Sequence, residues 1–343
     1  MSRARSPLAA LAAIAIAALA LQTVPSSFAA FASQTENGGN SVTAANDFQA
    51  PLVTAVAVGK TQAGNSAGFV KAGGTYFVYA NVAADTGNPA SGTASVKANI
   101  AALTTGGTAV ELTAGSFSAG GVSYGYRSAE LTANGSPTEG AKGFTVTGTD
   151  KAGNAKSLES TVTVDNTAPK ASDEQTTNGS GGTNGLAEQG DTLVLTFSEP
   201  VEPQSILAAW SGAATNVAVR INDNSLLGLG LGNDVVQVFN AANTTALPLG
   251  SVDLGRGDYV NGLVGGHVNF GAAGTPSTMT MSGSTVTILL GTYEGEGVLG
   301  SNRTTAAGTG TLTWTPTATP YDRAANAMAT TAATESGVAD KEF

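Results

Sequence analysis

The sequence predicts an all-β protein made of two tandem antiparallel β-sandwiches that follow an N-terminal signal peptide. Short segments that alternate apolar and polar residues recur along the chain, and turns rich in Gly, Asn and Asp separate them, which is the pattern of strands with one buried face. Two repeated signatures predict the division into two modules. The start signature DFQAP at 47–51 returns as DNTAP at 165–169, and the end signature DKAGN at 150–154 returns as DRAAN at 322–326.

Residues 1–32 are predicted to be a signal peptide that is removed. Arg3 and Arg5 precede an uncharged apolar run, and small residues suitable for cleavage follow it. The apolar run of about 14 residues is shorter than the ~20 that a bilayer-spanning helix needs, so a membrane anchor is the less favoured interpretation. We therefore expect an extracellular or cell-surface protein with no membrane span after cleavage.

The composition restricts the partners and the sources of stability. The chain has no cysteine, so disulfides and thiolate metal sites are excluded and stability must come from the burial of a core. Removal of Arg3 and Arg5 leaves 13 basic and 25 acidic residues, a net charge near −12. Nucleic acids and anionic membranes are recognised by clustered Lys and Arg, so neither is expected as a partner.

Residues 33–47 are polar and are predicted to form a flexible N-terminal segment. The end of the signal region and the segment 40–44 (NSVTA) resemble the mature N-terminus of exported TasA/camelysin-type proteins, which include biofilm-matrix fibre formers. The resemblance implies a segment that adds as a strand to the sheet edge of a neighbour, and thus self-assembly. A simple flexible leader is the alternative.

Residues 48–168 are predicted to form the first β-sandwich. The alternation of apolar residues predicts seven strands, at 52–58, 75–82, 94–100, 108–113, 122–131, 141–149 and 158–164. Most aromatic residues of this module lie at 76–79 and 124–126. We expect these rings to pack in the core, and the alternative is an exposed aromatic platform that binds carbohydrate.

The end of this module carries a family resemblance. The sequence FTVTGTDKAGN at 144–154, followed by VTVDNTAP at 162–169, closely resembles the last hairpin of bacterial Ig-like repeats. The resemblance implies an immunoglobulin-like sandwich, for which seven strands is also the expected number. The turn chemistry agrees, because Asp150 can cap the turn, Gly153 can adopt a positive φ and Asn154 tolerates the left-handed region.

Residues 169–343 are predicted to form a second, larger Ig-like sandwich with insertions. The segment 191–201, which ends in FSEPV, is similar to the Ig-like modules of S-layer and other bacterial surface proteins. A short helix is predicted at 203–210, after Pro203. Further strands are predicted at 217–221, 234–239, 267–270, 278–281, 285–290 and 311–316. Ala325 stands where the repeat pattern has Gly, which leaves the geometry of the second turn open.

The sequence predicts no catalytic residues and no enzymatic activity. His267 is the one histidine, no cysteine is present, and no serine lies in a Gly-x-Ser-x-Gly motif, so the common zinc sites and catalytic triads are not expected. The glutamates Glu199, Glu294 and Glu296 could form a carboxylate pair for glycoside hydrolysis, which is the enzymatic alternative.

Calcium is the one ion that the sequence suggests, although no cofactor is required. Calcium binds hard oxygen ligands in turns, and Asp85, Asp150, Asn154 and Asp165 are the candidate ligands. No segment has the dense Asp-x-Asp-x-Asp-Gly pattern, so the alternative is that these side chains only cap turns. Calcium at the junction of the modules would fix the angle between them.

We therefore expect an exported, non-enzymatic structural or adhesive component of the cell surface or extracellular matrix, whose modules contact cell-surface proteins or glycans. The alternatives are a carbohydrate-binding accessory module and a polysaccharide-active enzyme. A cluster of exposed aromatic side chains would favour the first alternative, and paired carboxylates across a cleft would favour the second.

Overall fold

The computed structural model describes residues 47–60, 66–86, 90–224, 232–262, 266–295, 297 and 300–343. The fold is nearly all β and contains two large sheets in sandwich-like arrangements, which confirms the predicted all-β class. No helix in the described part of the chain is long and apolar enough to cross a membrane. The predicted signal peptide and residues 33–46 lie outside the described residues.

The first sheet has nine strands and is formed by the first half of the chain. In chain order these are β1 (Leu52–Lys60), β2 (Phe69–Val70), β3 (Thr75–Ala83), β4 (Thr93–Asn99), β5 (Val110–Ala119), β6 (Val122–Ser128), β7 (Leu131–Thr132), β8 (Gly140–Asp150) and β9 (Ala155–Val164). Their order in the sheet is β1-β3-β6-β5-β4-β8-β9-β2, and β7 pairs with β3. All pairs are antiparallel except β2 with β9. The sheet folds over on itself, so that β1 also packs against β9.

The second half of the chain forms a ten-stranded sheet and one short helix. These elements are β10 (Ala171–Thr177), β11 (Thr192–Phe197), α1 (Pro203–Ile206), β12 (Thr215–Asn222), β13 (Val235–Asn240), β14 (Ser251–Asp253), β16 (His267–Phe270), β17 (Ser277–Ser282), β18 (Thr285–Leu289), β20 (Thr313–Thr315) and β21 (Ala333–Thr334). The sheet order is β10-β11-β18-β17-β12-β13-β14-β20-β21, with β16 on β12. The first strand, β10, packs beside the last two, and β15 (Val260–Asn261) pairs separately with β19 (Asn302–Arg303).

Each sheet encloses its own hydrophobic core. One core is drawn from residues 53–164 and includes the inward side chains Tyr76 and Val78 of β3, both fully buried. The other core is drawn from residues 171–343 and contains Trp314, whose ring packs edge-on against Phe197 at 4.9 Å. The predicted module boundary at 168/169 falls between these two cores.

Two local predictions for the second module are corrected by the structure. The helix predicted at 203–210 is a single turn, Pro203–Ile206, because Leu207 already has an extended backbone with φ −142°. The strand β10 was not predicted, since its sequence ASDEQTT lacks an apolar alternation. Its seven residues become a strand by pairing with β11, so the tertiary contact outweighs the weak local preference.

The aromatic residues of the first module do not form an exposed platform in the described part of the chain. Tyr76 lies in the core. Tyr79 and Tyr124 lie outside that core but are buried against each other, with ring centroids 5.5 Å apart and the rings tilted by 44°. Phe77 contacts the guanidinium of Arg127, 4.2 Å from the ring centroid. These contacts occupy the ring faces that a sugar would need.

Candidate metal centres

The turn at 150–154 is built around the Asp150 carboxylate. The Asn154 backbone N–H donates to Asp150 Oδ1 at 2.8 Å, and the Asn154 side-chain amide donates to Asp150 Oδ2 at 2.8 Å. The same amide donates to the Asp47 carbonyl oxygen at 3.0 Å. Gly153 allows the chain to turn because its φ is 93°. Asn154 therefore connects the end of the first module to its beginning.

The first carboxylate cluster lies beside this turn and consists of Asp47, Asp85 and Asp150. One carboxylate oxygen from each residue lies within 4.8 Å of the others, and all three residues are buried. The Ser91 backbone N–H donates to Asp47 and Asp85, at 2.8 and 3.1 Å. Hydrogen bonds from Ser91 and from the Gln49 N–H lower the pKa of Asp47 to about 2.

The turn at 322–326 repeats this geometry in the second module. Asn326 donates its backbone N–H to Asp322 Oδ1 at 2.8 Å and its amide to Asp322 Oδ2 at 2.7 Å. The amide also donates to the Asp165 carbonyl oxygen at 2.9 Å. Ala325 has a φ of 71°, so it adopts the positive φ that Gly153 adopts in the first turn. The turn left open by the sequence is therefore the same in both modules.

The second carboxylate cluster consists of Asp165, Glu199 and Asp322. These residues correspond in turn to Asp47, Asp85 and Asp150 of the first cluster. Their carboxylate oxygens also lie within 4.8 Å of one another. Glu199 Oε1 is buried and has no hydrogen-bond partner among the described residues. Burial, together with the charges of Asp165 and Asp322, raises the pKa of Glu199 to about 7. A bound cation would reduce the repulsion among the three carboxylates and would give Glu199 Oε1 a partner.

The equivalence of the clusters follows from strand position. Asp85 lies two residues after the end of β3, and Glu199 lies two residues after the end of β11. The two strands have the same role, because β3 pairs with the first long strand of its sheet and β11 pairs with β10. A carboxylate at this position therefore meets the aspartates of the start and end signatures in both modules.

The second cluster lies at the junction of the two halves of the chain. Asp165 directly follows β9 of the first sheet, whereas Glu199 and Asp322 belong to the second half. Two lysines of the first half bind the same 322–326 turn. Lys71 Nζ donates to the Ala325 carbonyl oxygen at 2.6 Å, and Lys60 Nζ donates to the carbonyl oxygen of Arg323 in the same turn. Burial lowers the pKa of Lys60 to about 8, against the opposing effects of nearby acidic groups.

Both clusters suit a cation that prefers oxygen ligands, such as calcium, better than zinc or copper. Calcium takes several oxygen ligands from carboxylates and carbonyls, and zinc or copper sites usually include Cys or His. Each cluster offers three carboxylates and neither includes a histidine.

The structure distributes the four predicted calcium ligands unevenly. It brings Asp85 and Asp150 together in the first cluster and places Asp165 in the second. Asn154, the fourth predicted ligand, lies beside the first cluster, where its side-chain amide donates to Asp150 and to the Asp47 carbonyl oxygen and so orients both residues.

Three cluster members, Asp47, Glu199 and Asp322, were not predicted as ligands. Superposing the two start signatures pairs Asp47 with Asp165, and superposing the two end signatures pairs Asp150 with Asp322. Two cluster members were therefore detectable from the internal repeat. Glu199 could not be detected as a cluster member in this way, because it lies in neither signature and its partners are distant in the sequence.

Of the residues considered for catalysis, the structure brings Glu294 close enough to His267 for its charge to act on the imidazole. His267 is half-buried, and burial and the charge of Arg220 lower the pKa of its imidazole. Glu199 belongs to the second carboxylate cluster, and Glu296 lies outside the described residues. A surface groove of about 610 Å³ on β8 and β9 contains one carboxylate, Glu159.

Comparison with protein-family models finds no match, and no curated protein is significantly similar to the chain. The resemblance to bacterial Ig-like repeats therefore rests on the residues of the two signatures.

Proposed function

We propose that this protein is an exported, non-enzymatic structural or adhesive component of the cell surface or extracellular matrix, and that calcium stiffens it. Its two Ig-like modules present loops and sheet edges to cell-surface proteins or glycans. The observation that carries the proposal is the repeated carboxylate cluster, present once at the start of each module. A repeated stiffening device is typical of a protein that bears load or presents a binding surface at a distance.

The second cluster explains how calcium would act on the whole molecule. Its ligand Asp165 belongs to the connection between the sheets, whereas Glu199 and Asp322 belong to the second half. An ion bound by all three would restrain that connection from both sides. The bonds from Lys60 and Lys71 to the same turn give the junction a second restraint that does not need an ion.

The first experiment is calcium-dependent unfolding of the exported form, residues 33–343. Calcium at a concentration about 100-fold above the Kd of one site stabilises the folded state by about 2.7 kcal/mol. The matched variants are Asp150→Asn in the first cluster and Asp322→Asn in the second, because each asparagine keeps one oxygen for its turn. The exposed Glu130→Gln is the control. We expect each cluster variant to lose part of the calcium-dependent shift in Tm and the control to keep all of it.

Solution scattering distinguishes the effect of calcium at the first cluster from its effect at the second. Chelation of calcium should increase the range of angles between the two halves, and Asp322→Asn should reproduce this effect in the presence of calcium. Asp150→Asn should not, because the first cluster lies within one module. A wild-type Tm and scattering curve that do not respond to calcium would remove calcium from the proposal.

The structural and adhesive role is tested separately from calcium. Sedimentation and electron microscopy of the exported form would reveal fibres or large assemblies, and deletion of residues 33–46 should abolish them if that segment pairs with a neighbour. Binding assays on cell-wall glycans and surface proteins test adhesion. Loss of a measured function in His267→Ala, with the fold intact, would contradict the non-enzymatic role.

A further inference from the structure

A third acidic cluster lies in the second module and shares no residue with the turns at 150–154 and 322–326. Glu335, Asp340 and Glu342 each place a carboxylate oxygen within 4.8 Å of the other two. A fourth carboxylate, that of Glu174 on β10, adds to the negative charge around Glu342. None of these residues lies in a sequence motif that predicts a metal ligand.

Two of the four carboxylates are buried with an oxygen that lacks a partner. Glu342 is 1% exposed, its Oε2 accepts a hydrogen bond from the Thr176 hydroxyl at 2.6 Å, and its Oε1 has no partner among the described residues. Glu174 is fully buried, and its Oε1 accepts a hydrogen bond from the backbone N–H of Trp314 at 3.2 Å. Its Oε2 also has no hydrogen-bond partner among the described residues. A buried carboxylate oxygen without a donor is costly unless a cation binds it.

None of the ion pairs in the described part of the chain involves this cluster. The ion pairs there join Lys97 to Glu111, Arg256 to Asp258 and Arg303 to Glu188. Burial and the neighbouring carboxylates raise the pKa of Glu174 and of Glu342 to about 7. The cluster therefore carries repulsion that either protons or a metal ion must relieve.

The segment 335–343, which carries the three clustered carboxylates, packs against the second sandwich. The Gly310 N–H donates to the Asp340 carbonyl oxygen at 2.8 Å, and the Glu342 N–H donates to the Tyr259 hydroxyl at 2.8 Å. Phe343 is 1% exposed and packs edge-on against Tyr259 at 6.2 Å. These contacts hold the backbone of residues 340–343 against the sandwich, next to the three carboxylates.

We propose that Glu335, Asp340 and Glu342, with Glu174 beside them, bind a divalent cation of the calcium type that fastens the segment 335–343 to the second β-sandwich. The ligands are all oxygens, as calcium prefers. The buried oxygens of Glu342 and Glu174 that lack a hydrogen-bond donor would gain the cation as a partner. This site does not depend on the clusters at the two turns, because it shares no residue with them.

The test uses Tb³⁺, which occupies calcium sites and emits when a nearby tryptophan is excited. Both tryptophans, Trp210 and Trp314, lie in the second module, and the Trp314 backbone contacts Glu174. We expect Tb³⁺ emission that excess calcium displaces, in a background that carries Asp150→Asn and Asp322→Asn. Asp340→Asn in that background should weaken Tb³⁺ binding at least about tenfold, because the charge of the ligands sets the affinity. Asp340 is exposed, so this substitution leaves the buried packing unchanged.

A second measurement distinguishes a cation site from a purely structural cluster. In chelator, Glu342→Gln should raise Tm relative to its parent because it removes repulsion and keeps an oxygen for Thr176. In calcium it should lower Tm because it removes a ligand. The control Glu130→Gln should change neither value. A Tm difference of the same sign in both conditions, or Tb³⁺ binding unaffected by Asp340→Asn, would overturn the proposal without affecting the clusters at the turns.

Discussion

The two matching turns allow one substitution to be tested in both directions. Ala325 has a φ of 71° and Gly153 has a φ of 93° in turns with the same hydrogen bonds. A side chain in the left-handed region costs about 1–2 kcal/mol. Glycine costs about 0.5–1 kcal/mol through the greater freedom of the unfolded chain. We therefore expect Ala325→Gly to stabilise the protein by about 0.5–1 kcal/mol.

The reverse substitution, Gly153→Ala, should destabilise the first module by a similar amount or slightly more. An added Cβ at Gly153 would meet no atom within 4 Å, so the cost is the backbone conformation alone. Its φ also lies beyond the usual left-handed range of about 50–70°, which places the cost at the upper end.

Tryptophan fluorescence assigns each effect to its module. Trp210 and Trp314 both report on the second module, whereas far-ultraviolet circular dichroism reports on both. Ala325→Gly should raise the Tm of the fluorescence transition by about 2–4 °C per kcal/mol gained. Gly153→Ala should lower a transition seen by circular dichroism and leave the fluorescence transition in place. If Ala325→Gly lowers the Tm, or if Gly153→Ala has no effect, the equivalence of the turns is refuted.

Three further predictions concern buried groups. Burial raises the pKa of Asp234 to about 7, so between about pH 4 and 7 the folded state holds a proton that the unfolded state releases, and stability falls as pH rises through this range. In urea unfolding, the stability of Asp234→Asn should equal that of the wild type at pH 4 and exceed it at pH 8, by at most about 4 kcal/mol. The indole N–H of Trp314 donates to the Leu249 carbonyl oxygen at 2.7 Å, so Trp314→Phe should cost about 2–4 kcal/mol in the same assay. Lys71→Met keeps the apolar stem but removes the bond to the Ala325 carbonyl, so it should cost about 1–3 kcal/mol and widen the interval between the transitions of the two modules.

Much of the strand pattern could be predicted because it depends on neighbours in the sequence. The alternation at 75–82 predicts a strand, and the structure has β3 at Thr75–Ala83. The predicted strand 267–270 is found as β16. The strand β10 could not be predicted because most of its residues are polar. One of them, Glu174, is buried although its side chain is ionisable. Pairing with β11 supplies the missing stabilisation, and no local pattern records that pairing.

The sequence by itself determined the all-β class, most strand positions and the repeated start and end signatures, because alternation, turn residues and internal repeats are properties of short segments. The tertiary structure alone decided which carboxylates meet. Asp47, Asp85 and Asp150 are distant in the chain, and Glu174 is more than 150 residues from Asp340 and Glu342. Their proximity depends on how strands pair and how each sheet closes on itself, and these long-range contacts cannot be derived from the residues on either side of each carboxylate.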